Sequence, residues 1–318
     1  MNKKILKYRR KCECCGGGDY KRILTGRDRL YGKSGKFYVF RCLHCGLLWT
    51  EPMMSDRSLT RYYPSDCYYS YQDGTKINFL AKVRTFLIQE LGKESLMGKI
   101  LTCFIHIPGL PEMRKRGTIL DVGCGSGDTL FLLPQNGWTT WGIDQNSKAV
   151  LFAKRRKVYK IIRGSFPHVR SLPRYYFDTV RMYCVLEHLN KPKEALKLSN
   201  KILKNDGELI LSMQNTRSIT AFVFGTYWYH LDLPRHRFHF SPYTIKKMLE
   251  DTGFTNVYIT YHSLGGILGS ISHYMYEKFN IKVSLEKNIM FVFLLYPIEW
   301  FFDRLFLGDM MVVRARKR

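Results

Sequence analysis

Nine cysteines are unevenly placed along the 318 residues, five of them within the first 45. Cys12 and Cys15 are spaced CxxC and followed by Gly16; Cys42 and Cys45 repeat the pattern before Gly46, with twenty-six residues between the pairs. A CxxC turn sets two thiolates on one side of a tight loop. The glycine after it can take a positive φ while nearby N–H groups point at sulfur. Two such knuckles make a four-sulfur tetrahedral site suited to Zn2+, closed to further ligands and so structural. Cys14 lies inside the first knuckle and could stand in for a neighbour as ligand. Cys67, Cys103, Cys124 and Cys184 are isolated and read as apolar fillers.

The second constellation is TILDVGCGSGDTLFLL, residues 118–133. An apolar run ends at Asp121 and Val122, and Gly123, Gly125 and Gly127 turn the chain into a helix. Such glycines let backbone approach a ligand at the carboxyl end of a first strand, where open α/β sheets bind ligands. Seventeen residues past Gly127 a second run ends in Gly142, Ile143 and Asp144. An acid there is placed to accept both hydroxyls of a ribose. A dinucleotide site would need a third glycine where Asp128 stands, and the turn has no Lys or Arg to grip a phosphate. The pattern suits a nucleoside with a cationic, amino-acid-bearing end, whose charge Asp121 would offset.

These residues need a scaffold. Apolar runs at 118–122, 139–143, 158–162, 177–183 and 208–213 alternate with helix-length amphipathic stretches, which predicts βαβ units and a parallel sheet. Three regions follow: a four-cysteine module over 1–50, with strands at 36–42 and 47–50; a Tyr-rich connector with helical patches at 76–92 and 95–106, spanning 51–116; and an α/β domain over 117–318. The last carries a helical insert at about 263–308, and a final strand is expected at 310–315.

LDVGCGSG, GIDQN, FDTVRMYCVLEHL and LKNDGELILSMQN, in this order, resemble the successive motifs of the class I S-adenosylmethionine-dependent methyltransferases. The resemblance covers about residues 117–262. The CxxCG…RCxxCGL module and the YYP segment are similar to a bacterial subgroup whose members often act on small molecules or surface-glycan precursors. It implies a Rossmann-like seven-stranded sheet with the last strand antiparallel. S-adenosylmethionine would be the methyl donor. Asp121, Gly123 and Gly125 would contact its methionine end and ribose, Asp144 the ribose, and Gln145 the adenine. Gly164, Ser165 and Phe166 would enclose the adenine, and Tyr183 would lie near the sulfonium.

Methyl transfer asks for alignment of acceptor, methyl and leaving sulfur, and for a base where the acceptor must lose a proton. Glu187 and His188, in VLEHL, follow the fourth strand. Related ubiquinone-biosynthesis O-methyltransferases use acids in this region to hold a metal. Tyr183 and Val185 do not complete that acidic pattern, so a catalytic metal is not expected. HLDLPRHRFHFS, residues 230–241, resembles the family's Pro-x-His…Phe-Ser segment. His236 is the first candidate there for acceptor contact or general base, ahead of His230, Asp232 and His239. Ser241 and Pro242 read as the cap and first residue of the next helix.

The composition is that of a globular chain, 45% apolar, but the 51 Lys and Arg against 26 Asp and Glu leave a net charge of +25. Such a field attracts polyanions. Basic clusters occur at 3–11, 114–116, 154–160 and 314–318. The aromatic stretch 289–307 is broken by Pro297 and by charges, so it reads as a buried or interfacial helix rather than a spanning one. A helical lid or a dimer surface is the leading reading of this stretch, and peripheral membrane contact beside the cations is the alternative. MNKKILKYRRKCECC has no apolar run behind its charges, so the expected location is cytoplasmic, with membrane association left open. The expected reaction is methyl transfer to an O- or N-atom of a small-molecule, glycan or lipid-linked acceptor. An RNA methyltransferase and a non-catalytic S-adenosylmethionine-binding zinc scaffold are the alternatives.

Overall fold

A computed structural model describes residues 11–63, 109–112, 116–133, 137–156, 158–169, 172–263 and 265–318. The helical patches at 76–92 and 95–106, with Cys67 and Cys103, lie outside the described residues.

Seven strands form the main sheet: β4 (Gly117–Val122), β5 (Trp138–Asp144), β6 (Lys160–Arg163), β7 (Phe177–Tyr183), β8 (Leu203–Gln214), β10 (Phe254–His262) and β11 (Met310–Lys317). Their spatial order is β6-β5-β4-β7-β8-β11-β10. β11 runs antiparallel to both neighbours, while the pairs from β6 to β8 are parallel. This is the doubly wound sheet with one reversed strand that the motifs implied. β4 is central and its last four residues are buried, as expected of a strand covered on both faces. Two boundaries moved. β6 begins at Lys160 because Val158 turns into the core beside Leu130 and Leu133, and β8 begins at Leu203, paired with Phe177.

Two of the helices on the sheet start at residues whose side chains satisfy first-turn N–H groups, and a third starts at a proline, which has none to satisfy. Asn146 caps α3 (Ser147–Arg155) by accepting from Ala149 N. Pro192 opens α4 (Pro192–Ile202). Ser241 and Thr244 form a reciprocal capping box on α6 (Pro242–Glu250). Shorter helices are α1 (Asp56–Leu59), α2 (Asp128–Leu132) and α5 (Ile219–Phe224).

The insert between β10 and β11 contains α7 (Gly266–Phe279) and α8 (Ile289–Arg304). Among the described residues no helix is long and apolar enough to cross a membrane. The two acids in α8 that interrupt its apolar run have structural partners. Glu299 is buried and accepts from Gly265 N (2.9 Å) and Ile267 N (3.2 Å) at the start of α7. Asp303 accepts from the backbone N (2.9 Å) and Oγ (2.7 Å) of Ser263.

The cysteine module is a four-stranded antiparallel sheet, not the two strands expected. β1 (Tyr20–Gly26), β2 (Phe37–Cys42) and β3 (Leu48–Glu51) are joined at the edge by β9 (Phe238–His239), a strand lent by the α/β domain. Leu48 pairs with His239 and Trp49 with Phe238. Thr50 N donates to Arg237 O at 2.9 Å. The histidine-bearing loop is therefore shared between module and domain.

Candidate active site and thiolate centre

The two knuckles have the same construction. Cys12 N donates to Gly17 O and Gly16 N to Cys12 O; Cys42 N donates to Leu47 O and Gly46 N to Cys42 O. Gly16 and Gly46 take φ of 76° and 80°, the left-handed turn that closes each loop. The Sγ atoms of Cys12 and Cys45 lie 3.5 Å apart and those of Cys15 and Cys42 3.6 Å apart, and all four sulfurs lie within 4.8 Å of one another. A tetrahedral Zn–S site with bonds of ~2.3 Å has sulfurs about 3.8 Å apart, so the residues present fit that ion. Cys14 does not join the set. Its buried thiol donates to Thr244 O (3.8 Å) and seats the knuckle on α6.

The residues expected to bind the donor converge on one cavity of about 1430 Å³ at the carboxyl ends of the parallel strands. Gly123 has φ 70°, and a Cβ there would strike Val185 Cγ2 at 2.5 Å. Its N–H is held by Ile143 O (2.7 Å), which ties the turn to β5. Asp144 ends β5. Its two oxygens accept from Gly125 N (2.9 Å) and Asn146 N (2.8 Å). Each oxygen keeps a second lone pair, an arrangement suited to a ribose diol. Burial pushes its carboxyl above the ordinary value, and the backbone donors oppose that shift. Gln145, Gly164, Ser165, Phe166 and Tyr183 line the same cavity.

Asp121 differs from the expectation. Its carboxylate does not stand free to meet a cationic ligand. Arg181, on the neighbouring β7, donates Nη1 to both of its oxygens at 2.8 Å. Arg181 Nε holds Gly109 O (2.7 Å), and the guanidinium lies 4.7 Å from the Tyr183 ring centre. Asp128 pairs with Arg156 and accepts from Ser126 Oγ (2.9 Å).

Glu187, His188 and His236 are brought together. The His188 and His236 rings are 4.7 Å apart, edge to face. A carboxylate oxygen of Glu187 and one nitrogen of each ring lie within 4.8 Å of one another, a set that a divalent cation could share. His188 lines the cavity, while Glu187 and His236 are buried behind it. His188 Nδ1 lies 3.0 Å from Arg235 O, and His236 Nδ1 2.9 Å from His230 O. A carbonyl only accepts, so both Nδ1 atoms carry hydrogen and both Nε2 atoms keep lone pairs. Burial lowers His188 to about 3 and His236 to about 4, whereas it pushes Glu187 up to about 8. One carboxylate oxygen of Glu187 is buried without a partner. His239 is held away from the cavity by Thr50 Oγ1 (3.0 Å), and Asp232 by the buried Arg235.

Three residues that line the cavity were not foreseen. Tyr63 Oη lies 3.1 Å from His188 Nδ1 and Tyr63 lines the cavity. Arg237 donates to His188 O (2.9 Å), Met54 O (2.9 Å) and Asp56 Oδ1 (2.6 Å). Arg181 is the third. The RHRFH spacing flagged the loop, but nothing local distinguishes its arginines from the many others in this basic chain.

Comparison with protein families matches residues 93–259, more than half of the chain, to a family described as a methyltransferase domain. The chain belongs to that family. The domain's fold is that of the class I S-adenosylmethionine-dependent methyltransferases. It is similar to the ubiquinone biosynthesis O-methyltransferase of Nitrosomonas europaea, 29% identical over 140 residues, which are 41% of this chain and 56% of the relative. The enzyme of the same name from Pseudomonas paraeruginosa is 26% identical over 113 residues, 34% of this chain and 48% of the relative. The chain thus spans about half the length of these curated relatives. A solved S-adenosylmethionine-dependent methyltransferase from Archaeoglobus fulgidus has 22% identity and a TM-score of 0.46, covering 73% of this chain and 99% of its own.

Proposed function

We propose that this chain moves the methyl group of S-adenosylmethionine to a small-molecule acceptor, with a hydroxyl on a glycan or lipid-linked precursor as the leading case. One observation carries the reading: Asp144, set for a ribose by the glycine turn, and His188, with a free Nε2, face one cavity. The relatives named above add support, since their printed activity is O-methylation in ubiquinone biosynthesis.

Asp144 would take the ribose hydroxyls, Gln145, Ser165 and Phe166 would enclose the adenine, and Gly123 and Gly125 would let the methionine end pass close to backbone. The acceptor oxygen attacks the methyl carbon as the carbon–sulfur bond breaks, and S-adenosylhomocysteine leaves. As the new bond forms the oxygen gains positive charge and turns strongly acidic, so its proton passes to His188 Nε2 even though burial holds that ring to about 3. Arg235 O fixes the ring through Nδ1, and His236 and Glu187 pack behind it. Alignment of acceptor, methyl and sulfur within the cavity supplies much of the acceleration. The four thiolates would hold structural zinc, in keeping with a reducing, cytoplasmic setting. The test is His188→Ala against His188→Gln. Both should keep donor affinity and lose about 10²–10⁴-fold in turnover. Unchanged turnover in both would remove His188 from the chemistry.

A further inference from the structure

Helix α8 carries the longest apolar run in the described chain, yet it lies on the surface. Phe293 and Leu294 are 65% and 69% exposed, and Phe301 is 54% exposed. Tyr276, Phe279 and Ile281, at the end of α7, extend the same apolar character. Between residues 274 and 306 the exposed charged side chains are Lys278, Lys282, Lys287 and Arg304, all cations. The acids of this stretch are spent elsewhere. Glu299 caps α7 and Asp303 holds Ser263. Glu286 accepts from Ser272 Oγ (3.1 Å), and Glu277 pairs with Arg27 (3.0 Å) and Arg29 (3.3 Å).

An aromatic, aliphatic face edged by cations and without an exposed acid matches a surface that is anionic outside and hydrocarbon within. A second copy of the chain seated on it would set like charges against one another. The face also runs into the cavity: Tyr296, Trp300, Arg304 and Phe306 of this segment line its wall.

We propose that α8 and the end of α7 dock the protein on an anionic lipid bilayer, with the cavity mouth at the lipid surface. Lys278, Lys282 and Lys287 meet lipid phosphates, and Phe293, Leu294 and Phe301 enter the acyl boundary. Resting on the proposed methyl transfer, the geometry lets an acceptor carried on a lipid tail reach the cavity from the membrane. The docking itself does not depend on that reading.

The experiment is co-sedimentation of the full chain with phosphatidylcholine vesicles, with and without phosphatidylglycerol. The chain should sediment with the anionic vesicles only, and less so as salt is raised. Lys278→Gln, Lys282→Gln and Lys287→Gln together should weaken binding roughly a hundredfold. Phe293→Ser with Leu294→Ser should weaken it at least tenfold. These side chains are exposed and outside the cavity wall, so melting temperature and S-adenosylhomocysteine affinity should match the parent. Absence of binding to anionic vesicles, or binding that neither variant changes, would overturn the proposal. So would a parent dimer, seen by light scattering, that the Phe293 and Leu294 substitutions split. Methyl transfer measured on the same samples separates failure of docking from failure of the enzymatic reading.

Discussion

Arg181 Nη1 reaches both carboxylate oxygens of Asp121 at 2.8 Å, and both side chains are buried at the donor end of the cavity. Burial drives the Asp121 carboxyl above its ordinary value, and the guanidinium opposes that shift. The two charges are held as a neutral unit. A donor's methionine ammonium would therefore meet a carboxylate already shared, and its carboxylate would find a cation alongside.

Breaking this pair from one side leaves a buried charge. Arg181→Met should cost about 3–5 kcal/mol of stability. Adding Asp121→Asn should return most of it, because no charge then remains uncompensated. Donor affinity should stay low in the double variant. Thermal unfolding with calorimetric titration of S-adenosylhomocysteine checks both halves; additive stability losses would reject the coupling.

Asp144→Asn keeps an acceptor for one of the two backbone N–H groups but loses the anion. Charge-assisted hydrogen bonds are worth about twice neutral ones, so donor affinity should fall by roughly 10–100-fold while the chain stays folded. Affinity equal to the parent's would remove Asp144 from the ribose site.

Metal analysis should return one zinc per chain, lost in Cys42→Ser. Since Thr50, on the sheet that carries Cys42, holds His236 O (2.7 Å) and Arg237 O (2.9 Å), the variant should also lose turnover without losing donor binding. Cys14→Ser should keep its zinc. A second metal equivalent persisting in Cys42→Ser would sit on Glu187, His188 and His236.

How much of this was legible beforehand follows from the range of each interaction. The knuckles, the glycine turn and Asp144 are each specified within a few residues of chain, and they stand where the spacing put them. Ser241 and Pro242 cap α6 as their types require. Arg181 was missed because it reads as a polar interruption in FDTVRMY, and its partner is on another strand. The β3–β9 pairing was missed because Phe238 and His239 lie far along the chain from Leu48 and Trp49. Glu299 counted only as a charge in an apolar stretch until α7 supplied the N–H groups it caps.

Asp309 offers a test of burial by pH. It accepts from Thr220 Oγ1 and from Trp228 Nε1 (3.1 Å), while its other oxygen is unpartnered, 3.9 Å from His230 Nε2. Burial pushes its carboxyl up to about 6. For an acid raised in the folded state, stability is fully present below its unfolded value and is lost as pH rises through about 6. Asp309→Asn removes that titration. Its stability relative to the parent should grow by roughly 3 kcal/mol between about pH 4 and pH 7. Denaturant unfolding at a series of pH values reads this directly; parallel curves would show that Asp309 titrates normally.

The central claim is tested most directly by transfer itself. The purified chain is incubated with methyl-labelled S-adenosylmethionine and an extract of its source cells, and the product is treated with nuclease. The account predicts nuclease-resistant label in the small-molecule, sugar or lipid fractions, abolished by Asp144→Asn and His188→Ala. Nuclease-sensitive label would make RNA the acceptor, and tight donor binding with no labelled product would make the chain a binding scaffold; either contradicts it.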